Sequence, residues 1–201
     1  MSKRLILLLV FCVHLTTSAA IPGKRDTAEQ KEEMTKRLNQ MRVYHAKMGE
    51  IGNMHEVKYD YELEKVANSM TGNCEFKNGD YTLVNATDLS SFLEKMDLDE
   101  LRKYSSSFAE AVVHPLQTKI ACVELVAACP ARGVDERGFC LIGPHSSPPS
   151  ENDSKKGPIG SHCDHGLADN GLCKAGPKSG SNSQLNFSIF AVIAAFVMIF
   201  Y

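Results

Sequence analysis

The sequence of 201 residues predicts an α+β ectodomain, stapled by disulfides and framed by two removable ends. Three observations lead there. Residues 119–144 read as two strands, 119–127 and 138–142, around a polar loop at 130–137 that carries Pro130 and Gly133. Cys122, Cys129 and Cys140 lie in this hairpin. Helix-periodic segments precede it, and both termini are apolar in the manner of processing signals. A hairpin alone is marginal in water, so this one needs staples and helices to pack against.

The first 20 residues read as a secretory signal peptide. Lys3 and Arg4 supply the positive start, Leu5 to Leu15 the apolar core, and Ser18-Ala19-Ala20 the small residues for cleavage. At the other end, residues 176–201 read as a glycosylphosphatidylinositol (GPI) attachment signal. Phe187 to Tyr201 is an apolar tail, broken only by Ser188, that the signal would lose. Ser179, Gly180 and Ser181 each fit as the attachment residue, because small residues follow each of them. A retained transmembrane helix would want about 20 apolar residues and a basic flank, and this tail has neither.

Of seven cysteines, Cys12 leaves with the signal peptide. The other six, Cys74, Cys122, Cys129, Cys140, Cys163 and Cys173, enter an oxidising compartment, where disulfides are the default. Asn85-Ala86-Thr87 and Asn152-Asp153-Ser154 are glycosylation sequons in the ectodomain; Asn186-Phe187-Ser188 falls in the tail. Without Lys3 and Arg4, 20 basic residues face 24 acidic ones. That mixed, mildly acidic balance gives no footprint for nucleic acid.

In chain order, Asp26 or Thr27 caps a first helix, with Glu29 or Gln30 as reciprocal partner. Met34, Leu38, Met41, His45 and Met48 form its apolar stripe, and Gly49 ends it. His45 on that stripe reads as a core histidine, and the methionines as core filling. A brief extended piece at 56–59 leads to Asp60, the cap of a second helix with Leu63, Val66, Ala67 and Met70 inward. It ends near Gly72, and Cys74 follows. After a loop and a short strand at 81–84, Thr87 caps a third helix bearing Leu89, Phe92, Leu93 and Met96. Residues 98–113 form a fourth, with Leu101, Tyr104 and Phe108 inward, stopped by His114-Pro115. Beyond the hairpin, the Ser- and Pro-rich stretch 145–160 reads as an exposed linker, and 161–175 as a small cysteine unit.

Chemistry-bearing clusters are few. His162, Cys163, Asp164, His165 and Cys173 are all zinc-ligand types, but in a secreted chain Cys163 and Cys173 are natural disulfide mates. Glu110 and His114 stand at helical spacing and could pair as acid and base, yet no nucleophile lies beside them in sequence. No phosphate-cradling glycine loop or nucleophile elbow occurs. No metal and no cofactor is expected.

Several motifs, in order, resemble the CAP superfamily of secreted cysteine-rich proteins. Leu38-Asn39-Gln40-Met41-Arg42 is similar to that family's first-helix Asn-x-x-Arg. Val57-Lys58-Tyr59-Asp60 stands where the family has Trp-Asp. Cys74-Glu75-Phe76, Thr118-Lys119-Ile120-Ala121-Cys122 and Cys140-Leu141-Ile142-Gly143-Pro144 resemble its later cysteine motifs, and Gly171-Leu172-Cys173 a small extension of some members. The resemblance spans residues 30–173 and implies an α-β-α sandwich over 26–144. It also implies pairing of Cys74 with Cys122, Cys129 with Cys140 and Cys163 with Cys173. Members with a central cleft hold two His and two Glu there. Here only His114, with Glu110 beside it, is a candidate remnant, so the cleft metal site looks lost.

These readings converge on a glycosylated, GPI-anchored extracellular binding module without catalysis, whose ligand is an extracellular protein or a lipid. The alternatives are a secreted lipid or sterol binder and a hydrolase using Glu110 and His114 in a degenerate cleft.

Overall fold

A computed structural model describes residues 27–95, 106–130 and 133–176. Helix α1 spans Ala28–Met48. Thr27 opens it with a full capping box: its hydroxyl accepts from Gln30 N, and the Gln30 side chain accepts from Thr27 N. Gly49 closes it. Strand β1 is the two residues Lys58–Tyr59. Asp60 then accepts from Glu62 N and Leu63 N to cap α2, Tyr61–Asn68. Strand β2, Thr82–Asn85, runs straight into α3, Ala86–Lys95. Here Asn85 Oδ1 accepts from Thr87 N, while the Thr87 hydroxyl, expected as the cap, donates to Asp135 instead. Helix α4 is Ser106–Val113, and strands β3 and β4 are Lys119–Val123 and Phe139–Gly143. Met96, Leu101 and Tyr104, expected on helices, lie outside the described residues.

The sheet order is β1-β3-β4-β2. β1 runs parallel to β3, and β4 is antiparallel to both its neighbours. Side chains alternate faces along each strand. On one face Ile120, Cys140, Ile142 and Val84 meet Leu38 and Met41 of α1, Leu89, Phe92 and Leu93 of α3, and Phe108, Ala111 and Val112 of α4. On the other, Val123, Phe139 and Leu141 meet Ala67 and Met70 at the end of α2, with Cys129 and Val134. All five residues of β4 are buried, as a strand covered on both faces requires. The result is an α-β-α sandwich.

That layering corrects two of the implied disulfides. Cys122 and Cys140 are register partners on β3 and β4 and share the α1/α3 face, so they bond to each other. Cys74 packs in the cluster on the opposite face, where it bonds Cys129. A Cys74–Cys122 bridge would have to pass through the sheet. The third bridge joins Cys163 and Cys173.

The α1 stripe also differs from expectation at its end. Leu38 and Met41 are buried, but Met48 is 68% exposed. The sequence stripe repeats every 3.5 residues and the helix turns every 3.6, so the stripe drifts by about 20° per heptad and leaves the sheet. Ala46 takes the inward position in the last turn. On α2, Val66, expected inward, is exposed, and Glu64 is buried instead.

Residues 145–160, expected as an exposed linker, are tied to the body. Asn53 Nδ2 donates to Asp153 O, Lys155 N donates to Asn53 Oδ1, and Gly157 N donates to Glu50 O. The following cysteine unit docks too. Leu172 and Cys173 are fully buried, and Leu172 packs with Ala46, Ile51 and Met54. Cys173 N donates to Met54 O, and Glu56 N to Cys173 O.

One turn depends on glycine. Gly138, just before β4, has φ +86°, and a Cβ there would overlap the Val123 carbonyl oxygen. Gly138→Ala is expected to cost about 2–4 kcal/mol through backbone strain and the clash. Urea unfolding of the oxidised chain checks this, and an unchanged midpoint would contradict it.

Candidate functional site

Among the described residues, Arg42 is one of the most completely buried polar groups. It is fully buried, and its guanidinium reaches only main-chain carbonyls. Nε donates to His55 O at 3.0 Å, and Nη1 to Val112 O at 2.7 Å. Nη2 is shared among His114 O at 3.0 Å and Pro115 O and Gln117 O, each at 3.3 Å. These acceptors gather where α4 ends, so the cation sits on the negative pole of that helix. Burial pushes its pKa down to about 9, still high enough to keep it charged at neutral pH.

Three side-chain amides act as stand-ins for strands. Asn39, one turn before Arg42, donates to Val57 O and accepts from Val57 N, both at 2.8 Å. Gln117 does the same for His145, with Nε2 to the carbonyl at 2.8 Å and Oε1 from the amide at 3.0 Å. Asn53 holds Asp153 and Lys155 in the same way. Each fills the donor and acceptor of a neighbouring main chain without a backbone partner.

His114 sits over the Arg42 cradle. It is 1% exposed, and its ring stacks on that of His145 with centroids 4.8 Å apart and planes 17° apart. Nδ1 accepts from Leu116 N at 3.2 Å, which fixes the neutral ring with its proton on Nε2. Burial, then the adjacent His145, pushes its pKa down to about 4; Arg42 acts in the same direction, and Asp153 opposes them. Glu110, the candidate partner, meets His114 through the backbone: His114 N donates to Glu110 O. The two are not brought together as an acid–base pair; the imidazole serves as a buried acceptor.

A groove lies elsewhere, between α1 and the outer edge of β1, with a volume of about 830 Å³. Lys31, 7% exposed, forms part of its wall. Its ammonium is held by both oxygens of Glu64 at 2.9 Å and lies 4.6 Å and 5.2 Å from the ring centres of Tyr59 and Tyr61. The two rings meet edge to face, centroids 5.3 Å apart. Desolvation lowers the pKa of Lys31, but the bonds to Glu64 and Tyr59 outweigh it and the net shift is upward. This cluster has no prominence in the sequence. Its only signals were the adjacent Tyr59 and Tyr61 and a lysine on the α1 flank.

The remaining candidates are dispersed. Asn152 is exposed on the 3₁₀ turn Glu151–Asp153. Asn85 is half-buried, with Nδ2 donating to Gly133 O. His162 Nε2 contacts Lys156 O, and among the described residues no three His, Cys, Asp or Glu side chains gather as a metal site would need. Ser179, Gly180 and Ser181 lie outside the described residues.

No family model and no curated protein matches the sequence. Solved structures do match the fold. A hookworm platelet inhibitor aligns over 79% of this chain and 98% of its own, with a TM-score of 0.53 at 17% identity. BmVAL-1 aligns over 78% and 98%, at 0.50 and 16%. Na-ASP-1 aligns over 83% of this chain and 51% of its own, at 0.50 and 17%. Hookworm ASP and venom-allergen-like proteins are CAP superfamily members. With its sheet, flanking helices and cysteine-bearing β3–β4 pair, the chain has the CAP fold.

Proposed function

We propose that the chain is a GPI-anchored extracellular CAP-like module that works by binding, not by catalysis. The observation that carries this is the use to which His114 is put. The one imidazole that resembles a cleft histidine is stacked under His145, accepts a main-chain hydrogen bond and is held neutral. It is thus consumed by structure, as are Arg42 and Gln117 around it. Three disulfides suit an oxidising, extracellular setting. Glycans at Asn152 and Asn85 belong to the same reading. The partner is an extracellular protein or a lipid.

The test is release from intact cells expressing the full chain. Phosphatidylinositol-specific phospholipase C should free it into the medium in a glycosidase-sensitive form. Retention on the treated cells would overturn the anchor. Hydrolytic activity of the released protein that disappears in His114→Gln would overturn the non-catalytic part.

A further inference from the structure

We propose that the groove between α1 and β1 takes an extended, uncharged peptide segment of an extracellular partner, added as a fifth strand beside β1. The inference rests on the binding-module reading above and assigns the surface and the chemistry.

β1 is an edge strand. Lys58 N and Asp60 N donate inward, to Thr118 O and Ile120 O of the β3 side. Alternation along a strand therefore turns the N–H and C=O of Tyr59 outward, into the groove. The preceding outward residue, Val57, has both groups satisfied by Asn39. Among the described residues nothing does this for Tyr59. The edge is thus sealed by a side chain at one position and open at the next, and an added strand finds its register fixed at Tyr59.

The shape and charge of the groove name the occupant. Its α1 wall runs from Ala28 to Val43, about 22 Å at the helical rise, which matches seven residues of extended chain. Its charges cancel. Lys31 is bonded to Glu64 and Lys58 to Glu56, and Glu32 and Lys36 lie one helical turn apart. A polyanion or a lipid headgroup meets no net field here. A neutral main chain meets an unmatched donor and acceptor, and a side chain of the added strand can lie on the exposed Tyr61 ring.

The test incubates the full chain, glycosylated and oxidised, with a random pool of capped, uncharged heptapeptides. Enriched peptides are compared on wild type, Tyr59→Pro and Gln40→Trp. Proline removes the outward N–H, which the β1–β3 ladder does not use. Tryptophan at exposed Gln40 fills the groove from α1 without touching the edge. The proposal expects enrichment by wild type and a rise in Kd of at least about tenfold in both variants, with peptide N-methylation at alternate amides also abolishing binding. It is overturned by absence of enrichment, by unchanged affinity in Gln40→Trp, or by N-methylated peptides binding equally well. Cells whose partner still binds the Gln40→Trp chain as tightly as wild type would reject this groove and leave the binding-module reading standing. Loss of all cell binding by wild type would reject that reading itself.

Discussion

Arg42→Met should destabilise the oxidised chain by about 3–5 kcal/mol, the largest effect expected of any single substitution here. Two terms oppose each other. Methionine removes the cost of burying a cation, which favours the variant. It also takes a donor from five carbonyls; His114 O and Pro115 O keep Gln117 N and His55 N, but those of His55, Val112 and Gln117 are left without one. A buried acceptor without a donor costs about 1–3 kcal/mol, and the methionine side chain offers none of them a bond. The acceptors outnumber the single charge, so the loss wins. Arg42→Lys keeps the charge at the end of α4 but reaches fewer carbonyls, and should fall between the two. Guanidinium titration of the three proteins checks the order. A methionine variant as stable as wild type would show that the cradle closes on itself.

Acid should weaken the fold through His114 by about 3 kcal/mol, the difference between a pKa near 6.5 in the unfolded chain and about 4 in the folded one. Above pH 6.5 both states carry a neutral ring, and the term is absent. As pH falls below that value the unfolded chain binds the proton first, so stability declines. The decline ends near pH 4, where the folded ring is protonated too. Protonation at Nδ1 would break the bond from Leu116 N and set a second cation near Arg42 and against His145. His114→Gln removes the titrating ring, so its stability should be flatter between pH 6.5 and 4 even if lower overall. Unfolding free energies across that range decide it; parallel curves for the two proteins would place the acid sensitivity elsewhere.

What was legible in the sequence was local. The Thr27–Gln30 box, the Asp60 cap and Gly49 act within one turn, and each is where the sequence puts it. The helix-flanked cysteine hairpin was legible for the same reason. What failed needed a third dimension. Disulfide choice turned on which face of the sheet Cys122 points to, a matter of strand parity against a helix 60 residues earlier. The 145–160 segment is Ser- and Pro-rich, yet it docks because Asn53 and Gln117, far upstream, carry its hydrogen bonds. Arg42 could be noticed as a motif residue, but its partners come from residues 55 and 112–117. His114 was visible as a histidine after a helix. Only the stacked His145 and the Leu116 bond show it as a buried acceptor and not half of an acid–base pair.

The amides of Asn39, Asn53 and Gln117 carry a consequence in chemical ageing. Each presents a nitrogen to a carbonyl and an oxygen to an N–H. Deamidation exchanges that nitrogen for oxygen at almost constant volume, so packing would register nearly nothing. The bonding would reverse: a carboxylate oxygen would face the carbonyl of Val57, Asp153 or His145, acceptor against acceptor. The fold thus has its seams closed by the side-chain group that hydrolyses with time, and one exchanged atom is enough to open any of the three.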